Sequence, residues 1–408
     1  MTLLPSTLPS PSPPPTLTRW YIDTRPLTAS TQSLPLLTTL QESDQTTIKA
    51  FHHLSDRHMS LASYLLKYLF IHRTCYVPWN QIIISRTPAP HKRPCYVPLE
   101  QQQQQQQQQW SSGGDSKYKN TPTGTPTNIE FNVSHQTSLI ALAGCVIPTP
   151  PSDENTIAQP CFKSVNNKTN TANNTPQIGI DITCTNDPSR RNRGPPKTKA
   201  ELHAFIDIFS EIFSQNELDA MKADPRSSSS NMSLQDYITS SLRLFYTYWA
   251  LKEAYIKMTG EALLAPWLRD LEFRNVVVPT PPAKPPPTTS TSTASLAWGV
   301  PETGVRAVMY GQEVPEVRLE VVACEEEYIV ATAGRGGGFG NCVGREEDGG
   351  GIGKVRARWE EFMEAQPGTE NQPLKQDGKG NKKARRVKTR ATPERTGNAY
   401  VYSNKVNV

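Results

Sequence analysis

Two acidic residues and a lysine carry the sharpest chemical suggestion in this chain. Asp181 stands in IGIDITC (178–184), where strict alternation puts Ile178, Ile180 and Ile182 on one face and Asp181 with Thr183 on the other. Aspartate is disfavoured in strands. It marks either the solvated face of an edge strand or an oxygen ligand for a hard cation such as Mg²⁺, which takes one or two carboxylates plus substrate phosphate oxygens. Glu253 and Lys257 stand four residues apart in WALKEAYIKMTG (249–260), so they share one face of a helix. They read as a surface ion pair. Alternatively, on a helix crowded with Phe245, Tyr246, Tyr248, Trp249 and Tyr255, they are charges kept for a task, with Lys252 close by.

Two other segments offer contacts to anions. FNVSH (131–135) brings Asn132, Ser134 and His135 to the end of a strand, where a hydroxyl and an imidazole could hold phosphate oxygens or could be only a strand end. The loop 86–94 holds Arg86 and Arg93, whose guanidinium forks suit a phosphate, although a solvated turn has the same composition.

The elements that must position these residues follow from periodicity. Residues 56–73 place Leu61, Leu65, Tyr68, Leu69 and His72 on one helical stripe. The IIIS run (82–85) reads as a short buried strand, and FNVS with LIALAG (139–144) as a hairpin. Phe205, Ile208, Phe209, Ile212 and Phe213 suggest one helix, and Ser214 with Glu217 a capping box opening another. The helix over 241–260 should end at Gly260. Strands at 271–273, 305–310, 317–323 and 328–333 complete a mixture without βαβ alternation, hence an α+β fold.

Composition bounds the rest. Only 36% of the 408 residues are hydrophobic and 36 are proline, whereas ordinary domains are about 45–50% apolar. Proline-rich polar stretches cannot bury enough surface to offset their ordering entropy. They form a Pro/Ser/Thr-rich start (1–18), a polyglutamine insert (100–126), an Asn/Thr/Pro linker (148–175), a Pro/Thr loop (276–297), and a Gly-rich then basic tail (334–408). The folded halves should then be 19–147 and 176–333. Residues 375–395 hold nine Lys/Arg against two acids, so this segment alone exceeds the chain's net charge of +5. Such a tail suits a nucleic-acid-binding protein and is the rival to an enzyme. No apolar run approaches the roughly 18 residues of a membrane span, and the proline-broken N-terminus does not read as a secretory signal. Seven scattered cysteines without a C-x-x-C pair suggest neither disulfides nor zinc. The expected compartment is the cytoplasm.

FNVSH, GIDI and WALKEAYIKMTG, in that order, with WYIDTRPL, MSLASYLLKYLF, ISRTP and EALLAPWLRDLEF, resemble the 4′-phosphopantetheinyl transferases, and most of all the fungal members of the monomeric, broad-specificity type. The resemblance implies two similar α+β halves related by a pseudo-two-fold, with the active site in the cleft between them. It implies transfer of 4′-phosphopantetheine from coenzyme A to a serine of acyl- or peptidyl-carrier domains, releasing adenosine 3′,5′-bisphosphate. The carriers would belong to fatty-acid synthase, polyketide synthase, nonribosomal peptide synthetase or aminoadipate reductase. By the same resemblance Asp181 and Glu253 hold Mg²⁺, and Glu253, Lys257 and His135 are catalytic. Arg86, Arg93, Asn132, Ser134, His135, Lys252 and Lys257 bind the coenzyme. Thr183 departs from relatives that carry a further acid two residues after the aspartate.

Overall fold

The computed structural model describes residues 17–87, 93–98, 128–147, 176–186, 194–224, 232–261, 265–283 and 297–336, with two strands beyond them. The polyglutamine insert, the 148–175 linker, residues 284–296 of the Pro/Thr loop, residues 88–92 and the basic segment 375–395 lie outside the described residues.

The N-terminal half begins with β1 (Leu17–Asp23), followed by α1 (Arg25–Ser30), α2 (Glu42–Lys49) and the long α3 (Leu54–Cys75). Helix α3 includes the expected 56–73 stripe and buries Leu61, Leu65 and Leu69 with Trp20, Phe131, Ile140 and Leu142. β2 (Ile84–Arg86) and β3 (Pro94–Tyr96) form a two-stranded ribbon. Of the three isoleucines at 82–84 only Ile82 is buried, so this strand is more exposed than its composition suggests.

β4 (Ile129–Gln136) and β5 (Leu139–Val146) make the expected hairpin. Its two-residue turn needs positive φ at both positions, a geometry usually given to Asn-Gly. Thr137 and Ser138 adopt it here, at φ 46° and 74°. Tertiary hydrogen bonds hold them there: Thr24 donates its backbone N–H (2.8 Å) and its hydroxyl (3.0 Å) to the Ser138 carbonyl, and the Tyr328 hydroxyl donates to that of Thr137 (2.5 Å).

The C-terminal half opens with β6 (Gln177–Cys184), then α4 (Lys199–Asp207), α5 (Gln215–Lys222) and α6 (Leu234–Thr259). Helix α4 stops short of the predicted stripe. The chain turns after Asp207, leaves Ile208 exposed and wraps Phe205, Phe209 and Phe213 around Phe245. The capping box of Ser214 and Glu217 opens α5, and Gly260 (φ 79°) caps α6 in the left-handed conformation that costs glycine least. β7 (Leu271–Arg274), β8 (Arg306–Met309) and β9 (Gln312–Glu313) form a small sheet, and β10 (Val317–Cys324) and β11 (Tyr328–Arg335) a hairpin against β6.

The two halves repeat one wiring. In the first, a strand, a long helix and a hairpin give the order β1-β5-β4; in the second the same sequence of elements gives β6-β11-β10. The sheets bury Leu17, Tyr21, Ala141 and Ala143 against Ile178, Ile180, Ile182, Val322 and Val330. Among these apolar groups Arg19 pairs with Glu320, their side chains 2% and 7% exposed. The tail differs from expectation: β12 (Gly353–Arg358) and β13 (Tyr400–Val406) extend the first sheet outward from β1.

Removing one member of a buried ion pair leaves an uncompensated charge, at about 3–5 kcal/mol. Arg19→Met should therefore lower stability by that order in urea unfolding. Arg19→Met with Glu320→Leu should recover most of it.

Candidate active site

β6 is an edge strand. It pairs with β11 on one side only, so the N–H groups of Ile180, Ile182 and Cys184 point away from any ladder. Three alternate side chains of β4 accept these hydrogens: Asn132 Oδ1 from Ile180 (3.3 Å), Ser134 Oγ from Ile182 (3.2 Å) and Gln136 Oε1 from Cys184 (2.8 Å). An unmet buried N–H costs about 1–3 kcal/mol. The polar residues of FNVSHQ therefore join the halves edge to face, while Phe131 and Val133 turn toward α3.

On its other face β6 carries Gly179, Asp181 and Thr183 toward α6. A Cβ at Gly179 would fall 2.0 Å from the Ala254 carbonyl oxygen and 2.4 Å from the Met258 nitrogen. Only glycine lets the helix backbone lie directly on the strand. That approach sets Lys257 Nζ 2.6 Å from Asp181 Oδ1 and 2.9 Å from Ser134 Oγ. The Ser134 hydroxyl donates in turn to Asp181 Oδ1 (3.0 Å), and Thr183 donates to Asp181 Oδ2 (2.9 Å). Asp181 is 5% exposed, yet every contact it makes is to a donor.

Glu253, one turn before Lys257, completes the group. Burial first, and then the Asp181 charge, raise its pKa above the usual carboxylate value, with Lys257 opposing. Glu253 thus senses both the Asp181 carboxylate and the Lys257 ammonium. His135 borders the group on the exposed side of β4: partial desolvation of its ring, then Lys257 and Lys67, lower its pKa, while Asp56 and Asp181 oppose.

Not every expected residue arrives here. Lys252, expected beside the coenzyme, is wholly buried on another side of α6. Its ammonium pairs with Glu217 Oε2 (2.9 Å), donates to the carbonyls of Leu268 (3.1 Å) and Leu271, and lies over Phe213 and Phe273. Burial lowers the lysine's pKa and raises that of Glu217, which also accepts from the Ser214 and Phe273 N–H groups. A spacing of one residue from Glu253 turns Lys252 about 100° around the helix, so the resemblance's placement of both at the site is not what the packing gives Lys252. Arg93, expected on phosphate, spans the halves instead: it donates to Glu130 and to the carbonyls of Ile178 and Met258, both at 3.1 Å. Burial and nearby Arg335 lower its pKa to about 10. Asn132 and Ser134 are at the site, but as the β4 acceptors above. Arg86 is exposed at the end of β2. Lys67 of α3 was not singled out by sequence; a lysine inside the apolar run YLLKYLF was the available signal.

An antiparallel α+β fold thus gathers acids and a lysine where a helix crosses a strand. Comparison with known families matches residues 28–147 to "4'-phosphopantetheinyl transferase, N-terminal" and residues 177–301 to "4'-phosphopantetheinyl transferase superfamily". The chain is 50% identical over 331 residues to 4'-phosphopantetheinyl transferase A of Aspergillus fumigatus, covering 80% of this chain and 85% of that one. It is 47% identical over 355 residues to 4'-phosphopantetheinyl transferase NpgA of Emericella nidulans, covering 86% and 92%. A 4'-phosphopantetheinyl transferase of Aureobasidium melanogenum is 29% identical over 359 residues. The chain belongs to the 4′-phosphopantetheinyl transferase family.

Gly179→Ala should push α6 off β6 and part Lys257 and Glu253 from Asp181. Overpacking of this kind costs about 1–3 kcal/mol, so melting temperature and transfer rate should fall together. A variant that keeps both would refute the close approach.

Proposed function

We propose that Asp181, Glu253 and Lys257 carry the family's reaction in a cleft between two halves related by a pseudo-two-fold, a reading supported by the repeated wiring of the two sheets. The chain is an enzyme that transfers 4′-phosphopantetheine from coenzyme A to a serine of a carrier-protein domain. The serine oxygen bonds to the phosphorus bearing pantetheine, and the bond from that phosphorus to the adenosine-side phosphate oxygen breaks. The serine proton goes to Glu253, directly or through water, and adenosine 3′,5′-bisphosphate leaves. Glu253 is the carboxylate within reach of this role beside Asp181, and a positioned carboxylate is a common general base. Lys257, 29% exposed at its side chain, presents positive charge to the diphosphate while bracing Asp181.

The donor set fits Mg²⁺. Among the described residues no group of three or more His, Cys, Asp or Glu gathers, but this ion keeps several waters and needs only one or two carboxylates beside substrate phosphates. Asp181 and Glu253 would hold it. When bound it supplies charge that neutralises the phosphate oxygens. Waters, or the Thr183 hydroxyl, whose lone pairs stay available while its hydrogen is donated to Asp181, would complete the coordination. The carriers are acyl and peptidyl carrier domains of the synthases named above. Among the described residues no helix is long and apolar enough to cross a membrane, and the cytoplasm is where we place the enzyme.

The observation that carries this reading is the convergence of Asp181, Glu253 and Lys257 where α6 meets β6. Labelled coenzyme A, Mg²⁺ and an apo carrier domain test it: the carrier serine should gain the label. Asp181→Ala and Glu253→Gln should each cost about 10²–10⁴ in rate, and a chelator should abolish transfer. Unlabelled carrier with intact enzyme would overturn the reading. Thr183→Glu should lower the Mg²⁺ concentration giving half-maximal rate, since added negative charge tightens cation sites.

A further inference from the structure

The β4–β5 turn is held in a shape that its own residues do not favour. Thr137 and Ser138 both sit at positive φ (46° and 74°), where a β-branched threonine is an outlier and glycine the usual occupant. Such conformations persist only where the surroundings over-determine them, and they collect at functional sites. Here three residues impose it, all through main-chain groups of the turn. Thr24 donates twice to the Ser138 carbonyl (2.8 and 3.0 Å), the Ser138 N–H donates to Met59 Sδ (3.2 Å), and the Tyr328 hydroxyl donates to the Thr137 carbonyl (2.5 Å). Thr24 and Met59 belong to the first half. Tyr328 opens β11 in the second.

Tyr328 reaches the turn from beside the active-site strand. It is buried and is the ladder partner of Cys184 at the end of β6. The Cys184 N–H donates to Gln136 Oε1 (2.8 Å), and Gln136 directly precedes Thr137. Gln136, Cys184, Tyr328 and Thr137 thus close a ring of contacts across the halves. In a hairpin the turn fixes the register of the strands, and a slip of one residue sends every side chain to the opposite face. On β4 such a slip would withdraw Asn132, Ser134 and Gln136 from β6 together. With Ser134 would go one contact of Lys257 and one of Asp181.

We propose that Tyr328 is a positioning residue for the transfer reaction: by holding the turn at Thr137 and Ser138 from the opposite half, its hydroxyl fixes the register of β4 and so the place of Ser134 against Asp181 and Lys257. The proposal rests on the reading of Asp181, Glu253 and Lys257 as the site of transfer. The hydroxyl bonds the turn and acts through it. An Asn-Gly pair adopts this turn by local preference. Because the bonds described above all go to the turn's backbone, they survive exchange of its side chains, and with Asn-Gly in place the tyrosine bond becomes dispensable.

Tyr328→Phe in the full chain, assayed with coenzyme A, Mg²⁺ and an apo carrier domain, tests this at a temperature where its melting curve shows the variant fully folded. There kcat should fall by roughly tenfold to a hundredfold, the scale that a misplacement of about 1 Å costs, with KM for the carrier nearly unchanged. Hydrogen exchange at the Cys184 amide should quicken by about tenfold, since its acceptor Gln136 loosens with the turn. Adding Thr137→Asn and Ser138→Gly to Tyr328→Phe should restore most of kcat. Those two substitutions alone should keep the wild-type kcat and melt at or above the wild-type temperature. An unchanged kcat in Tyr328→Phe, a change confined to KM, or a loss that Thr137→Asn with Ser138→Gly does not repair would overturn the assignment. A wild type that leaves the carrier serine unmodified would overturn the transferase reading beneath it.

Discussion

The open edge of β6 is the constraint around which the molecule is arranged. A strand laddered on one side only has outward N–H groups that must find acceptors. β4 supplies them through Asn132, Ser134 and Gln136 rather than through a second ladder. Side-chain acceptors reach farther than a ladder, so the two sheets meet without merging. Ser134 is the pivot: its oxygen satisfies the Ile182 backbone, accepts from Lys257 and donates to Asp181. A bond that joins the halves is also a bond of the active site, and neither can shift alone.

Two other contacts hold this arrangement. Gly179 lets α6 rest on β6, which fixes the depth at which Lys257 and Glu253 stand over Asp181. Arg93 binds the carbonyls of Ile178 and Met258, one on each side of that contact, and thereby ties the first half to both elements. Farther away, Arg19 and Glu320 pair between the sheets, where either alone would be an unpaired buried charge. Replacing such a pair by well-packed apolar groups is often neutral, whereas removing one partner alone is costly. Here the pair joins β1 of one sheet to β10 of the other.

Much of the fold was legible from periodicity. Alternation in IGIDITC put Asp181 opposite three isoleucines, and the structure keeps it there. The capping box at Ser214, the glycine cap at 260 and the β4–β5 hairpin were also readable, because caps, turns and alternation are local chemistry. Less was readable where geometry depends on distant chain. The stripe at 205–213 breaks because Phe209 and Phe213 can pack on Phe245 only after a turn. The strand character of β1 was hidden beside a proline-rich start, and β12 and β13 within a tail of polar composition.

For the site the division is similar. Residue types and spacing were enough to nominate Asp181, Glu253 and Lys257, since one strand face and one helix face present them by periodicity alone. The family resemblance places Lys252 beside the coenzyme, and the structure puts its ammonium in the core instead. Which side of a nearly all-buried helix faces the active site depends on what packs around it, and Glu217, fixed by its own capping box, claims Lys252 for the core. Asn132 and Ser134 also accept from the unpaired edge of β6, a role invisible in sequence. The sequence by itself determined the local elements and the chemistry available on each of their faces. The tertiary structure decided which faces meet, because burial, unmet hydrogen bonds and charge are settled between segments far apart in the chain.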